Sequence, residues 1–251
     1  MRNPGLPGKL AFPSTGPVRD TRKSADAMRI LAFDSSGGAC SVAVVSDNRL
    51  LAHESAPMLR GQAEHLVPMI ARAMTAAGLG FSALDLVAVT LGPGAFTGVR
   101  IGIATAQGLA LATGVPALGL GSFETVAAAV PAGLLEGRAL LVAIESRREE
   151  LYLQAFDSAR APLGAGALVA ADDWRSVAPA GPLVLAGDGA ARLGPALPSR
   201  DAVTAPGPGT ADAGALARLA SERWRQGLRT ARLEPLYLHA PDVTLAKGAQ
   251  P

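Results

Sequence analysis

MRILAFDSSGGACSVAVV, residues 28–45, is the stretch on which the fold class turns. Arg29–Asp34 is a short apolar strand ending in an acid, Asp34-Ser35-Ser36-Gly37-Gly38 is a turn cluster, and Cys40–Val45 resumes as a strand. Asp47-Asn48 makes a second turn and Arg49–Ala56 a third strand, so two consecutive hairpins predict an antiparallel meander. Downstream, Leu66, Ile70, Ala73, Met74 and Ala77 recur every three or four residues, which predicts a helix over roughly Ala63–Ala77 stopped by Gly78. Asp85–Thr90 reads as a buried strand, Gly92–Thr97 as a glycine-rich turn, and Gly98–Thr113 as a helix closed by Gly114. Pro116–Leu120 and Ser122–Val130 add a strand and a short helix, giving the order βββαβαβα.

Pro131–Gly137 marks a boundary, after which Arg138–Glu145 and Leu151–Phe156 open a second set of strands. The Ala-, Gly- and Pro-rich stretch 158–182 is weakly readable. Leu183–Ala186 is a strand ending in Gly187-Asp188-Gly189, Ala211–Gln226 an amphipathic helix, and Glu234–Leu238 closes the structured part. Two α/β subdomains, 28–135 and 136–238, each opening with a strand hairpin, imply a duplicated fold. Residues 1–27 hold four Pro, three Gly and no helical or strand period, the composition of a disordered extension ahead of a natural start at Met28. Residues 239–251 are expected to form a flexible tail.

Composition narrows the class. With 49% hydrophobic and 18% charged residues the 251-residue chain can bury a sizeable core. Cys40 is the single cysteine, which excludes a disulfide scaffold, and three scattered histidines (His53, His65, His239) do not make a structural zinc site. No apolar run approaches the roughly 20 residues of a membrane span, and no secretory h-region is present, so a soluble cytoplasmic protein is expected. Of the 23 basic and 21 acidic residues, five and two lie in 1–27, leaving the body with 18 and 19. The body therefore lacks the basic excess typical of a free-standing nucleic-acid module.

Leu91-Gly92-Pro93-Gly94-Ala95-Phe96-Thr97-Gly98-Val99-Arg100 could cradle a phosphate on a helix N-terminus, but it lacks the Gly-Lys-Ser/Thr of a P-loop and the G-x-G-x-x-G spacing. A tight structural turn fits better, with Thr97 placed to cap the Arg100 N–H and Phe96 and Ile101 forming a hydrophobic staple. In the helix that follows, Gly98, Gly102 and Ala106 form a smooth ridge, and apolar residues occupy nearly the full circumference. It is therefore either a central core helix or one shared with a partner protein, with Ala104 and Leu111 on the flank of Arg100 and Gln107, turned from the sheet. Met69 and Met74 on the preceding helix, with Met58 just upstream, suit either a core or an adaptable interface. No G-x-S-x-G elbow and no His pair is present, and mid-strand Cys40 reads as a small buried hydrophobe.

The blocks MRILAFDSSGGACSVAVV and LGPGAFTGVRIGIATAQGLALATGVPALGLGS, with AIESRREELYLQAF and EPLYL further on, resemble the TsaB family over roughly Met28–Leu238. TsaB proteins are dimerisation subunits of the bacterial tRNA threonylcarbamoyladenosine (t6A) machinery. The resemblance implies an α/β fold of the actin-like ATPase (ASKHA) type and no catalytic or metal-binding residues in this chain. Where the catalytic paralogue TsaD carries a His-x-x-x-His metal site, this sequence has Ser122 and Val126, and Glu145-Ser146-Arg147-Arg148-Glu149 replaces TsaD's glycine-rich phosphate loop. The usual family triplet Asp-Ala-Arg is here Glu145-Ser146-Arg147. Asp34, Ser35, Ser36, Gly187 and Gly189 are then remnants of a degenerate nucleotide site, with no cofactor beyond weak ATP or ADP contact inside a complex.

The implied partner is TsaD. The interface would come from Leu66, Met69, Ile70, Ala73 and Met74 on one helix and from Gly98, Arg100, Gly102, Ala104, Ala106, Gln107 and Leu111 on the other. The TsaE ATPase would dock on the pair, a TsaC-type enzyme would supply the threonylcarbamoyl-adenylate, and tRNA would be met only through the complex. Alone, the chain is expected to form a homodimer. A glycoprotease-like hydrolase and a stand-alone small-molecule kinase of the same fold are the alternatives.

Overall fold

The computed structural model describes residues 27–193, 202–207 and 209–238. Its first half contains β1 (Arg29–Asp34), β2 (Ala39–Ser46), β3 (Arg49–Pro57), α1 (Gln62–Ala77), β4 (Leu86–Thr90), α2 (Phe96–Thr113), β5 (Ala117–Leu120) and α3 (Ser122–Ala129). The second contains β6 (Ala139–Glu145), β7 (Glu150–Phe156), β8 (Ala167–Ala170), a 3-10 turn at Ala171–Ser176, β9 (Leu183–Ala186), α4 (Ala190–Leu193), β10 (Ala202–Thr204) and α5 (Ala213–Arg225). Apart from residue 27, the predicted extension, the tail 239–251 and His239 lie outside the described residues. No helix among those described is long and apolar enough to cross a membrane.

The two sheets run β3-β2-β1-β4-β5 and β8-β7-β6-β9-β10, the same topology twice. In each, an antiparallel meander pairs its first strand in parallel with the fourth (β1 with β4, β6 with β9). The first strands sit in mid-sheet with both faces covered, which explains their unbroken apolar runs. Leu31 and Phe33 face the core under α1 and α2, while Ile30 and Ala32 meet Leu216, Ala217 and Ala220 of α5 on the opposite face.

Three expectations are corrected. The second half keeps the sheet but shrinks its helices to a 3-10 turn, where Trp174 fills the core, and to the four residues of α4. Helix α5 lies within the predicted 136–238 subdomain yet packs on the first sheet, while α3 of the first half packs on β6, and the two helices meet between the sheets. Each sheet thus buries one face with a helix from the other half, so the halves share their cores. Thirdly, α2 starts at Phe96 with Ala95 as its uncapped N-cap, so Thr97 lies inside the helix and caps nothing. Packing sets that start: the Ala95 N–H donates to the Ser36 carbonyl (2.6 Å) and the Ala95 carbonyl accepts the Val99 N–H (2.9 Å). Phe96 does not staple onto Ile101 but stands half exposed against Tyr237 and Arg100.

Candidate functional site

The hairpin turn at Asp34–Ser36 lies at the C-terminal end of β1 and is wholly buried. Asp34 Oδ1 accepts the Ser36 hydroxyl (2.6 Å), the Ser36 N–H (3.2 Å) and the Thr90 hydroxyl, while Oδ2 has no partner among the described residues. Burial pushes the Asp34 carboxyl up to about 6, against the pull of the Ser36 and Thr90 hydroxyls, with Asp188 adding a smaller push. The folded chain therefore holds this proton more tightly than the unfolded chain. Its contribution to stability is full below about pH 4 and is lost as pH rises through about 6, at most about 3 kcal/mol. Asp34→Asn keeps the accepting oxygen without the charge, so its melting temperature relative to wild type should rise by several degrees between pH 4.5 and 7.5. A constant difference across paired thermal melts would contradict the buried, proton-holding carboxyl.

This turn is covered by the chain itself. A Cβ at Gly94 or Gly98 would come closer than 3.0 Å to the Ser36 or Ser35 carbonyl oxygen, and the Ser35 hydroxyl donates to the Gly98 carbonyl (2.8 Å). The glycines of the GPGAFTG block thus let a loop and a helix start lie directly on the hairpin turn, which bears out the structural-turn reading. Gly102 and Ala106 continue the same contact along the inner face of α2.

Gly187-Asp188-Gly189 faces the turn from the second half. Gly187 has φ 106° and leaves no room for a Cβ beside the Ala143 carbonyl, a position only glycine fills without strain. The Asp188 carboxylate accepts the Glu145 N–H (2.9 Å) and the Gly38 N–H, bridging the β1–β2 and β6–β7 turns. Burial, then the Glu145 charge, raise its pKa. In the β6–β7 turn Arg147 adopts φ 63°, Ser146 bonds the Glu150 carbonyl, and Arg192 clamps Glu145 Oε2 (3.0 Å) together with the carbonyls of Arg148 and Glu149. A cleft of about 220 Å³ at this junction includes Ser36, Gly38, Glu145, Arg147 and Asp188 in its walls, and a larger one of about 560 Å³ is lined by Gly187 and Asp188 together with Gly209, Thr210 and Arg218. The first is smaller than an ordinary ligand pocket and has two carboxylate residues in its lining.

At the two positions that the resemblance sets against TsaD's histidines, Val126 is core and Ser122 Oγ lies 3.3 Å from Ser36 Oγ. Among the described residues no group of three metal-binding side chains comes together. Cys40 is buried, its thiol pushed up to about 11 chiefly by that burial, so it acts as a small hydrophobe. His53 pairs with Asp212 Oδ2 (2.7 Å), tying β3 to the N-terminus of α5.

The helix faces divide differently from the expectation. Leu66, Met69, Ile70, Ala73 and Met74 are all buried against Phe33, Val42 and Val44, so they are core and not a partner surface. Burying such a side chain contributes about 1.5–3 kcal/mol, and the helix spends its apolar stripe on its own sheet. Gly98, Gly102 and Ala106 are likewise inside. Arg100, Ala104, Gln107 and Leu111 are exposed, Leu111 at 89%. Sequence reasoning missed Val67, 57% exposed on the outer face of α1, because it breaks the helical core period. It also passed over Asp188 as a bridge and Tyr237 as a partner for Phe96, since both contacts cross long sequence distances.

Residues 57–182, half of the chain, match the family described as TsaD: tRNA N6-adenosine threonylcarbamoyltransferase. Over 127 residues the chain is 40% identical to the tRNA threonylcarbamoyladenosine biosynthesis protein TsaB of Escherichia coli (strain K12), covering 50% of this chain and 53% of that protein. The chain thus spans about half the length of the curated relatives it matches first. YeaZ from Pseudomonas aeruginosa superposes with a TM-score of 0.72 at 30% identity, covering 84% of this chain and 100% of that one. The activator of the 2-hydroxyisocaproyl-CoA dehydratase from Clostridium difficile, with bound ADPNP, gives a TM-score of 0.52 at 8% identity over 81% and 99% of the two chains, a likeness of fold alone. The duplicated sheets and these likenesses establish the α/β actin-like ATPase fold. Identity sustained over the whole length of a YeaZ structure, together with the TsaB match, shows that this chain belongs to the TsaB family.

Proposed function

We propose that this chain is the non-catalytic scaffold subunit of the t6A machinery, supporting threonylcarbamoyl transfer by TsaD to the tRNA adenosine next to the anticodon. One observation carries the reading: the buried Asp34–Ser36 turn is covered by the chain's own glycine loop and helix start, while Leu111 leaves an apolar flank open on α2. A protein that packs its own backbone onto that turn and keeps such an exposed apolar flank is suited to binding a partner. In this reading the chain pairs with TsaD in the cytoplasm, TsaE docks on the pair, a TsaC-type synthase supplies the adenylate, and the chain self-associates when TsaD is absent. The test is co-purification with TsaD, followed by t6A formation with and without this chain. Modification by TsaD that is indifferent to its presence would end the proposal, and proteolysis by the chain alone would favour the hydrolase alternative.

A corollary concerns nucleotide. Asp188 would oppose a triphosphate in the cleft of about 220 Å³, Glu145 is already paired with Arg192, and Arg147 stands at a turn position where bare backbone would have to approach phosphate. The isolated chain should bind ATP–Mg with a Kd of roughly millimolar or weaker, ~4 kcal/mol or less. Calorimetry returning a low-micromolar value would overturn this.

A further inference from the structure

A separate cleft, about 540 Å³, opens on the far side of Arg147, between the N-terminal ends of α1 and α2 and the β6–β7 turn. Phe96 and Tyr237 form one wall, their rings stacked at 5.7 Å with an interplanar angle of 27°, and both are nearly half exposed. Behind them Arg100 braces the pair, its guanidinium 3.8 Å from the Phe96 centroid and its Nε donating to the Tyr237 hydroxyl (2.9 Å). The chain is only 4% aromatic, so a rigid, solvent-facing pair is a costly use of scarce residues. Arg60 and Arg147 line the same cleft. Neither has a carboxylate partner among the described residues; Arg147 donates only to the Leu59 carbonyl (3.2 Å), whereas Arg192 beside it is neutralised by Glu145. Glu64 is the single acid in the lining.

Unneutralised guanidiniums beside an exposed aromatic platform fit a nucleotide unit, its phosphate on the arginines and its base on the rings. We infer that this cleft is the chain's own contact with RNA, holding one unstacked nucleotide of a bound strand. One phosphate clamp and one stacked base hold a lone nucleotide only weakly, in keeping with the weak ATP binding expected above. The useful ligand is therefore a strand whose other nucleotides are held elsewhere, and this identification rests on the tRNA-modifying role proposed above.

The test titrates a fluorescein-labelled anticodon stem-loop RNA with the full chain, alone and with TsaD, at low salt, and maps photo-crosslinks. Crosslinks should fall on Phe96 or Tyr237. Tyr237→Ala should weaken binding about fivefold or more, and Tyr237→Phe should retain it. Arg60→Glu combined with Arg147→Glu should weaken it about tenfold or more and flatten the salt dependence by one to two phosphate contacts. Arg225→Glu, on a remote surface, should change little, and circular dichroism confirms that each variant is folded. Unchanged affinity in the cleft variants, or crosslinks elsewhere, overturns the inference, and so does micromolar AMP binding without RNA binding. Because these substitutions lie away from Ala104 and Leu111, TsaD capture is read separately: its loss in the wild-type chain would end the scaffold proposal without touching the RNA result.

Discussion

Leu111→Glu is expected to leave the chain folded and to abolish its association, both with itself and with TsaD. Leu111 is 89% exposed on α2, so the monomer loses almost no buried area when the side chain becomes charged. Exposed Ala104 and Gly108 precede it at helical spacing, making a smooth apolar flank on which a partner helix can lie closely. In such a contact Leu111 would be desolvated at the centre, and an unpaired carboxylate there costs several kcal/mol of association. That converts a micromolar complex into one undetectable at ordinary concentrations. Light scattering or sedimentation, with circular dichroism as the folding control, reads the outcome. A folded variant that still self-associates and still captures TsaD would show that the interface lies on another face. Val67→Glu on the outer face of α1 then becomes the next position to test.

Gly98→Ala is expected to be among the most damaging single-methyl changes in the described chain. Its Cβ would fall closer than 3.0 Å to the Ser35 carbonyl oxygen, and the obstacle is backbone, held at the end of a buried central strand. Neither side can yield: the Ser35 hydroxyl is bonded to the Gly98 carbonyl, and the adjoining Ser36 carbonyl accepts the Ala95 N–H. Ordinary overpacking costs about 1–3 kcal/mol, and a clash between two fixed backbones should exceed that, about 4 kcal/mol. For a chain of this size the melting temperature should fall by roughly 10 °C. Gly108→Ala is the control, since Gly108 lies on the same helix with open space around it, and the change to alanine should stabilise by up to about 1 kcal/mol through helix propensity. Equal melting temperatures for the two variants would remove the tight approach from the account.

Reading the chain from its sequence succeeded where the signal was local. The meander of β1–β3, the glycine stops after α1 and α2, and burial of Cys40 all follow from periodicity and turn chemistry within a dozen residues. The family blocks carried the fold class, and it was the resemblance that set Glu145–Glu149 against a glycine-rich phosphate loop. Failure came where one residue type serves two purposes. The apolar stripe of α1 and the small-residue ridge of α2 have the same pattern whether they face a partner or their own sheet, and the structure turns both inward.

Sequence by itself determined that this chain is an α/β protein that repeats a strand meander, because strand alternation and turn residues are properties of neighbouring positions. Only the tertiary structure decided how the Asp34–Ser36 turn is covered and braced. Asp188 bridges turns that lie 43 residues away at Glu145 and much further off at Gly38. Gly94 and Gly98 lie on Ser35 and Ser36 across roughly 60 residues. The exchange of α3 and α5 between the sheets, and the stacking of Tyr237 on Phe96, are likewise long-range. No periodicity encodes them: they arise when two sheets, each needing a cover for its second face, find that cover in the other half of the chain.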